Sequence, residues 1–169
     1  MKVLVVYESI YGNTRDVAEA VVAGLSSRVR AEAVEVAAAP AEVGDDVGLV
    51  VVGGPTHAFG MSGARTRADA AKEGPVLSAG TGIREWTADV RLPAGMRVAT
   101  FDTKVVKPRM PGSAAAAVAR RLRRKGARMI AKPATFYVTG KTGPLADGEL
   151  QRARRWGEVL APETGRVLA

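Results

Sequence analysis

The first fourteen residues set the limits on what this chain can fold into. Lys2-Val3-Leu4-Val5-Val6-Tyr7 places four apolar residues in a row, three of them β-branched. That is the composition of a strand buried on both faces of a sheet. The polar stretch Glu8-Ser9-Ile10-Tyr11-Gly12-Asn13-Thr14 ends it. Beyond Thr14, Val17, Val21 and Leu25 recur four apart with Val22 beside them, one apolar face of a helix. Strand, tight loop and helix therefore follow in immediate succession.

A helix that starts just after such a loop leaves its first backbone N–H groups unpaired and points a partial positive charge at the loop. An anion held there meets donors without a basic side chain. Ser9, Asn13 and Thr14 add side-chain donors, and Gly12 lets the backbone approach a ligand closely. Two readings stand level on this stretch alone: a phosphate cradle, or a plain strand-to-helix turn that Asn13 and Thr14 cap.

The rest of the chain alternates in the same way. Arg30 to Val36 alternates loosely and reads as an edge strand; Ala37 to Asp46, with Pro40 and Gly44, is a connection. Val47 to Gly53 repeats the continuous, β-branched signature of the first strand. Gly54 to Ser62 follows as a long loop, with Ser62 expected to cap an Ala-rich helix running to about Glu73. Ile83 to Trp86 reads as a short helix and Arg97 to Phe101 as a strand. Asp102-Thr103-Lys104 opens a loop closed by Pro108, Pro111 and Gly112. Ser113 caps a helix with Ala115, Val118, Ala119 and Leu122 on one face, and Gly126 ends it. Arg128 to Thr139 is the last strand, interrupted near Pro133, and Gly140 to Pro144 is a turn. Asp147 is expected to cap the final helix, with Leu150, Ala153, Gly157 and Leu160 inward.

Strands and helices alternating throughout call for a parallel sheet with helices on both faces. Five strands with their richest loops after the first and third fit an α/β, doubly wound sheet of order 2-1-3-4-5. Such a sheet binds its ligand in the crevice where the first and third strands diverge.

Ser9-x-Tyr11-Gly12-Asn13-Thr14 after an N-terminal hydrophobic strand resembles the phosphate-binding loop of the flavodoxin-like family. The resemblance implies a flavodoxin-like single domain over residues 1–169 that transfers electrons through noncovalently bound FMN. Ser9, Ile10, Tyr11, Gly12, Asn13 and Thr14 would then surround the phosphate. Gly53 to Gly60 resembles the family's stretch along one side of the isoalloxazine ring, which adds Pro55, Thr56, His57, Ala58, Phe59 and Gly60. His57 and Phe59 are its ring side chains for stacking, and Gly60 suits the backbone flip such proteins use toward the reduced ring. Thr100-Phe101-Asp102-Thr103 resembles the start of the third loop, adding Asp102, Thr103 and Lys104.

The chain departs from the family there. No aromatic residue stands between Asp102 and Gly112, where flavodoxins usually place a Tyr over the ring. Lys104 and Lys107 occupy a region that is typically acidic in low-potential carriers. The implied partner is a redox protein, or a small-molecule quinone or NAD(P)H. Pro55-Thr56-x-x-Phe59-Gly60 is also similar to FMN-dependent NAD(P)H/quinone oxidoreductases of the same fold, and a flavin-free binding module is the alternative from another class.

Composition narrows the remaining classes. There is no cysteine and a single histidine, so disulfides, thiolate chemistry and a zinc site are not expected. No run approaches the ~20 apolar residues of a membrane span, and the N-terminus lacks the apolar core of a secretory signal, so the expected location is the cytoplasm. Net charge is +8, from 25 Lys plus Arg against 17 Asp plus Glu. The densest basic run, Arg120-Arg121-x-Arg123-Arg124-Lys125, has no interleaved aromatic and reads as a solvated helix end, so no specific nucleic-acid partner is expected. Gly140-Lys141-Thr142 looks like the end of a P-loop, but Thr135 stands where its first glycine belongs. Gly80-x-Gly82 likewise meets Glu85 in place of a third glycine, and no Gly-x-Ser-x-Gly is present.

Overall fold

The structure, a computed structural model, describes residues 1–57, 59–106 and 111–164. Strand β1 (Lys2–Tyr7) pairs in parallel with β2 (Arg30–Glu35) on one side and with β3 (Val47–His57) on the other. The two-residue strand β4 (Gly60–Met61) folds back antiparallel on β3. Beyond β3 lies β5 (Arg97–Val105), and β6 (Arg128–Met129) and β7 (Ala134–Val138) both pair in parallel along it.

The principal strands thus run in the doubly wound order, in a sheet of seven strands where the sequence suggested five. The expected last strand is divided because Ala131 to Pro133 leave the ladder after the Ile130 amide donates to the Val98 carbonyl at 3.0 Å, and Pro133 has no N–H to give to it. The expected long loop after Gly53 is a continuation of β3 followed by a hairpin. β5 also runs four residues past Phe101, so Asp102, Thr103 and Lys104 stand on a strand and not in a loop.

Period-two alternation divides the strands between two cores. Val3, Val5, Leu49, Val51 and Phe101 face helices α1 (Asn13–Leu25) and α5 (Glu149–Leu160). Leu4, Val6, Val50, Val52 and Val98 face α3 (Ile83–Asp89) and α4 (Ala114–Arg124). Each fully buried Val or Leu contributes roughly 1.5–3 kcal/mol, so the inner strands anchor everything above them. Helices α1 and α5 touch through backbone: a Cβ on Gly24 would stand 2.0 Å from the Arg154 carbonyl oxygen, and one on Gly157 2.3 Å from that of Val21. Phe101, Phe136 and Trp156 meet edge to face at 6.0–6.1 Å beneath them.

Helix α2 (Ala64–Glu73) is different in kind, because none of its residues belongs to either apolar core. Its buried residues are Arg67 and Ala70.

Helix starts follow the sequence at Ser113, whose hydroxyl accepts from the Ala116 amide at 3.1 Å. Gly63 and Gly148 take the N-cap positions expected of Ser62 and Asp147. Ser62 is drawn away by a buried carboxylate, described below. Leu150 is exposed because Glu149 turns inward instead, accepting from the Tyr137 amide at 2.7 Å and from Arg152. Among the described residues, no helix is long and apolar enough to cross a membrane and no cluster of acidic or histidine side chains is arranged to hold a metal ion.

Candidate functional site

The ends of β1, β3, β5 and β7 open into one cavity of about 300 Å³. Its walls are the loop after β1, Pro55 to His57, Thr103 to Val105, one face of α2, and Lys141 from the turn after β7.

Gly12 stands at the N-cap of α1 with φ 94°, a left-handed conformation that glycine adopts without steric cost. The first bond of the helix runs from the Asp16 amide to the Gly12 carbonyl at 3.0 Å. The amides of Asn13, Thr14 and Arg15 therefore lie ahead of the helical ladder. The Gly12 amide donates to the Ser9 hydroxyl at 3.0 Å, so that hydroxyl keeps its own proton to give. Thr14 and Thr103 hydroxyls meet at 2.7 Å, both buried. Whichever donates, the other retains a proton for a ligand. This contact ties the first loop to β5 across the cavity.

The loop is clamped from outside. Ser78 donates its amide to the Ser9 carbonyl at 2.8 Å, and its hydroxyl accepts from the Ser9 amide at 3.0 Å and donates to Glu35 at 2.6 Å. Leu77 donates to the Ile10 carbonyl at 3.1 Å. The Asn13 amide group donates to the Thr142 carbonyl at 3.1 Å, fastening the turn after β7 to the first residue of α1. Ile10 and Tyr11 complete this wall.

Pro55, Thr56 and His57 line the cavity from β3. His57 pairs with Gly60 across the hairpin. Burial lowers the His57 pKa below its ordinary value, aided by the cations Arg67 and Lys141, so the ring is neutral at pH 7. Phe59 turns away: it is 53% exposed at a φ of 73° and is not among the lining residues. Gly60 forms the return strand beside it, and Ala58 lies outside the described residues.

The third stretch separates by role. Thr103 and Lys104 reach the cavity, with the Lys104 ammonium donating to the Gly112 carbonyl at 2.7 Å. Asp102 is fully buried and points to the start of α4. One of its oxygens accepts from the Ser113 hydroxyl at 2.6 Å, Thr56 at 3.0 Å and the Ala115 amide at 3.1 Å. A carboxylate there complements the positive end of the helix. Lys107 and Pro108 lie outside the described residues.

Sequence reasoning missed a buried polar network immediately beside the loop. Glu8 accepts from the Ile83 amide at 2.8 Å and from the Ser62 hydroxyl at 2.5 Å. Arg67 of α2, 1% exposed, donates to Ser62 at 2.8 Å and to Glu85 at 2.6 Å, and lies 3.8 Å from Glu8. Burial raises the Glu8 pKa, against the hydrogen bonds and the nearby guanidinium. Burial also pushes Glu85 upward, but the Arg67 contact and backbone donors carry it below its ordinary value. The signal was present: Glu8 interrupts a strand-to-loop passage, and Arg67 stands where α2 faces inward. It required the fold to join them.

No family model matches the chain, and no curated protein matches it. Solved structures do. A flavodoxin from the domain Archaea matches with a TM-score of 0.68 and 23% identity, over 97% of this chain and 99% of that one. Oxidised flavodoxin 1 from Bacillus cereus matches with 0.68 and 15% identity over the whole of both chains. The two-electron reduced flavodoxin of Megasphaera elsdenii gives 0.60 and 21% over 95% and 98%. With the strand order, the two-faced core and these superpositions in agreement, the chain has the flavodoxin-like fold.

Proposed function

We propose that the protein binds FMN noncovalently and transfers electrons through it. One observation carries this reading: the spare protons of Ser9 and of the Thr14–Thr103 pair, and the amides ahead of the α1 ladder, gather on one wall of a cavity where β1 and β3 diverge. That donor set fits a phosphate monoester. Pro55, Ala70, Val105 and Val138 give the same cavity apolar walls against which a flat ring is shielded from water. The flavodoxins of similar fold support the choice of flavin.

Bound there, FMN supplies one- and two-electron redox chemistry. Ser9, Thr14 and the helix amides bind the phosphate. Thr56 is positioned by Asp102, and the neutral His57 presents an uncharged ring to the cavity. No side chain is required to transfer a proton for the protein to act as a carrier.

The test is the absorption spectrum of the purified protein, with the released flavin identified by mass. A flavin spectrum with FMN released is the expected result; a colourless protein that takes up no flavin is a binding module. The oxidoreductase reading draws on the missing aromatic between Asp102 and Gly112, which leaves a ring face free for a hydride donor. Anaerobic mixing with NADH or NADPH, with and without a quinone, separates the two. Rapid bleaching assigns the enzyme, and bleaching only with an added reductase assigns the carrier.

A further inference from the structure

We infer that Lys141 is a phosphate-contacting residue of this cavity, held by Glu73 in the absence of ligand and handed over to the phosphate monoester on binding. The inference rests on the FMN reading above. Gly140-Lys141-Thr142 is no P-loop, since it lies in a turn after β7 and Gly148, eight residues on from Gly140, begins the next helix. The fold nevertheless carries this turn to the start of α1, where Asn13 grips the Thr142 carbonyl. Contact is close there: a Cβ on Gly143 would stand 2.6 Å from the Asn13 side-chain oxygen. Lys141, one residue before that anchor, lines the same cavity as Ser9, Tyr11, Asn13 and Thr14.

Its ammonium lies 2.6 Å from the carboxylate of Glu73, which stands on the α2 wall. The two side chains are 65% and 60% exposed, so the pair holds weakly against water and salt. A phosphate monoester brings a charge of about −1.5 to −2 and three acceptor oxygens, more than one carboxylate offers. The helix end supplies only about half a positive charge. Lys104, the other lysine of the wall, stands on β5 with one N–H given to the Gly112 carbonyl, whereas Lys141 is carried to the start of α1 by the Asn13–Thr142 bond. Lys141 is therefore a cation placed to add to the neutralisation at this end of the cavity.

Titration of flavin-stripped protein with FMN and with riboflavin tests this, because riboflavin lacks only the phosphate. Lys141→Gln should weaken FMN about tenfold and leave riboflavin unchanged, the effect of one charge-assisted hydrogen bond. Lys141→Arg should retain most of the affinity. Glu73→Gln, which frees the lysine, should tighten FMN about two- to threefold. Equal weakening of both flavins by Lys141→Gln would make Lys141 a prop for the turn and overturn the inference, as would no change in either. A parent protein that binds neither flavin removes the FMN reading and this inference together. A parent that prefers FMN while the variants keep that preference removes only the role of Lys141.

Discussion

Two polar systems meet at the end of β1, one residue apart, and they are built on opposite principles. From Ser9 onward, hydroxyls and amides are arranged with protons left to give. At Glu8 the carboxylate is filled, by Ser62, Ile83 and the nearby Arg67. The hydroxyls of the first system are buried by folding with protons still uncommitted; the second commits its donors within the fold. Buried polar groups that serve the fold largely satisfy one another, with Arg67 Nε and one Asp102 oxygen left without a hydrogen-bond partner, and those that serve a ligand stay partly open. The network also explains α2, whose residues belong to neither apolar cluster and which Arg67 fastens to Ser62 and Glu85.

Breaking the closed system should produce the largest effect. Arg67→Met leaves Glu8 buried without its cation, at an expected cost of about 3–5 kcal/mol at pH 7 in urea unfolding. The sign of the pH dependence follows from Glu8, whose folded pKa is raised. Its protonated form favours the fold, so its contribution falls as pH rises from the ordinary carboxylate value through the folded one. Without Arg67 the folded value rises further, and the deficit of the variant should shrink between pH 7 and pH 5. Glu85 works the other way, since its lowered pKa gives stability that is lost as pH falls through the folded value. A deficit that stays constant over this range would place Glu8 outside the network.

The open system should respond in binding more than in folding. Gly12→Ala forces an L side chain to φ 94°, costing about 1–2 kcal/mol of backbone strain, and should weaken FMN because the loop amides shift. The new Cβ itself meets the flexible end of Arg15 at 3.2 Å and makes an ordinary contact with Leu77 at 3.9 Å, so the effect reports the backbone. Thr14→Ala should cost ~1–2 kcal/mol in FMN affinity and nothing in riboflavin affinity, measured by calorimetry. The smallest effect is at Lys104. Exchange for Glu disfavours the reduced ring by about 1 kcal/mol after screening, a fall of a few tens of millivolts in the midpoint potential by spectroelectrochemistry. An unchanged potential would place Lys104 away from the flavin.

How far the sequence reached follows the same division. The apolar run of β1 and the four-residue spacing of α1 are local signals, so the first loop and its helix were legible. So was the strand order, from the alternation of elements together with the rich loops after the first and third strands. What stayed hidden depended on contacts distant in the chain. Ser62 looked like a helix cap until Glu8, 54 residues away, claimed its hydroxyl. Asp102 looked like a ligand group until β5 ran on and turned it toward Ser113 and Thr56. Phe59 looked like a stacking ring, but at a φ of 73° it stands exposed beside Gly60 of the return strand. Lys141 belonged to a rejected motif, and only the fold set it against the cavity.

The central claim is that the open donors after β1 exist for a phosphate. Titrating the flavin-stripped parent protein with FMN, riboflavin and FAD tests it most directly. The expected result is FMN tighter than riboflavin by about a hundredfold or more, the effect of two charge-assisted hydrogen bonds, with FAD behind FMN. Equal affinity for FMN and riboflavin would contradict it, because the loop would then contribute nothing to the ligand it is built to hold.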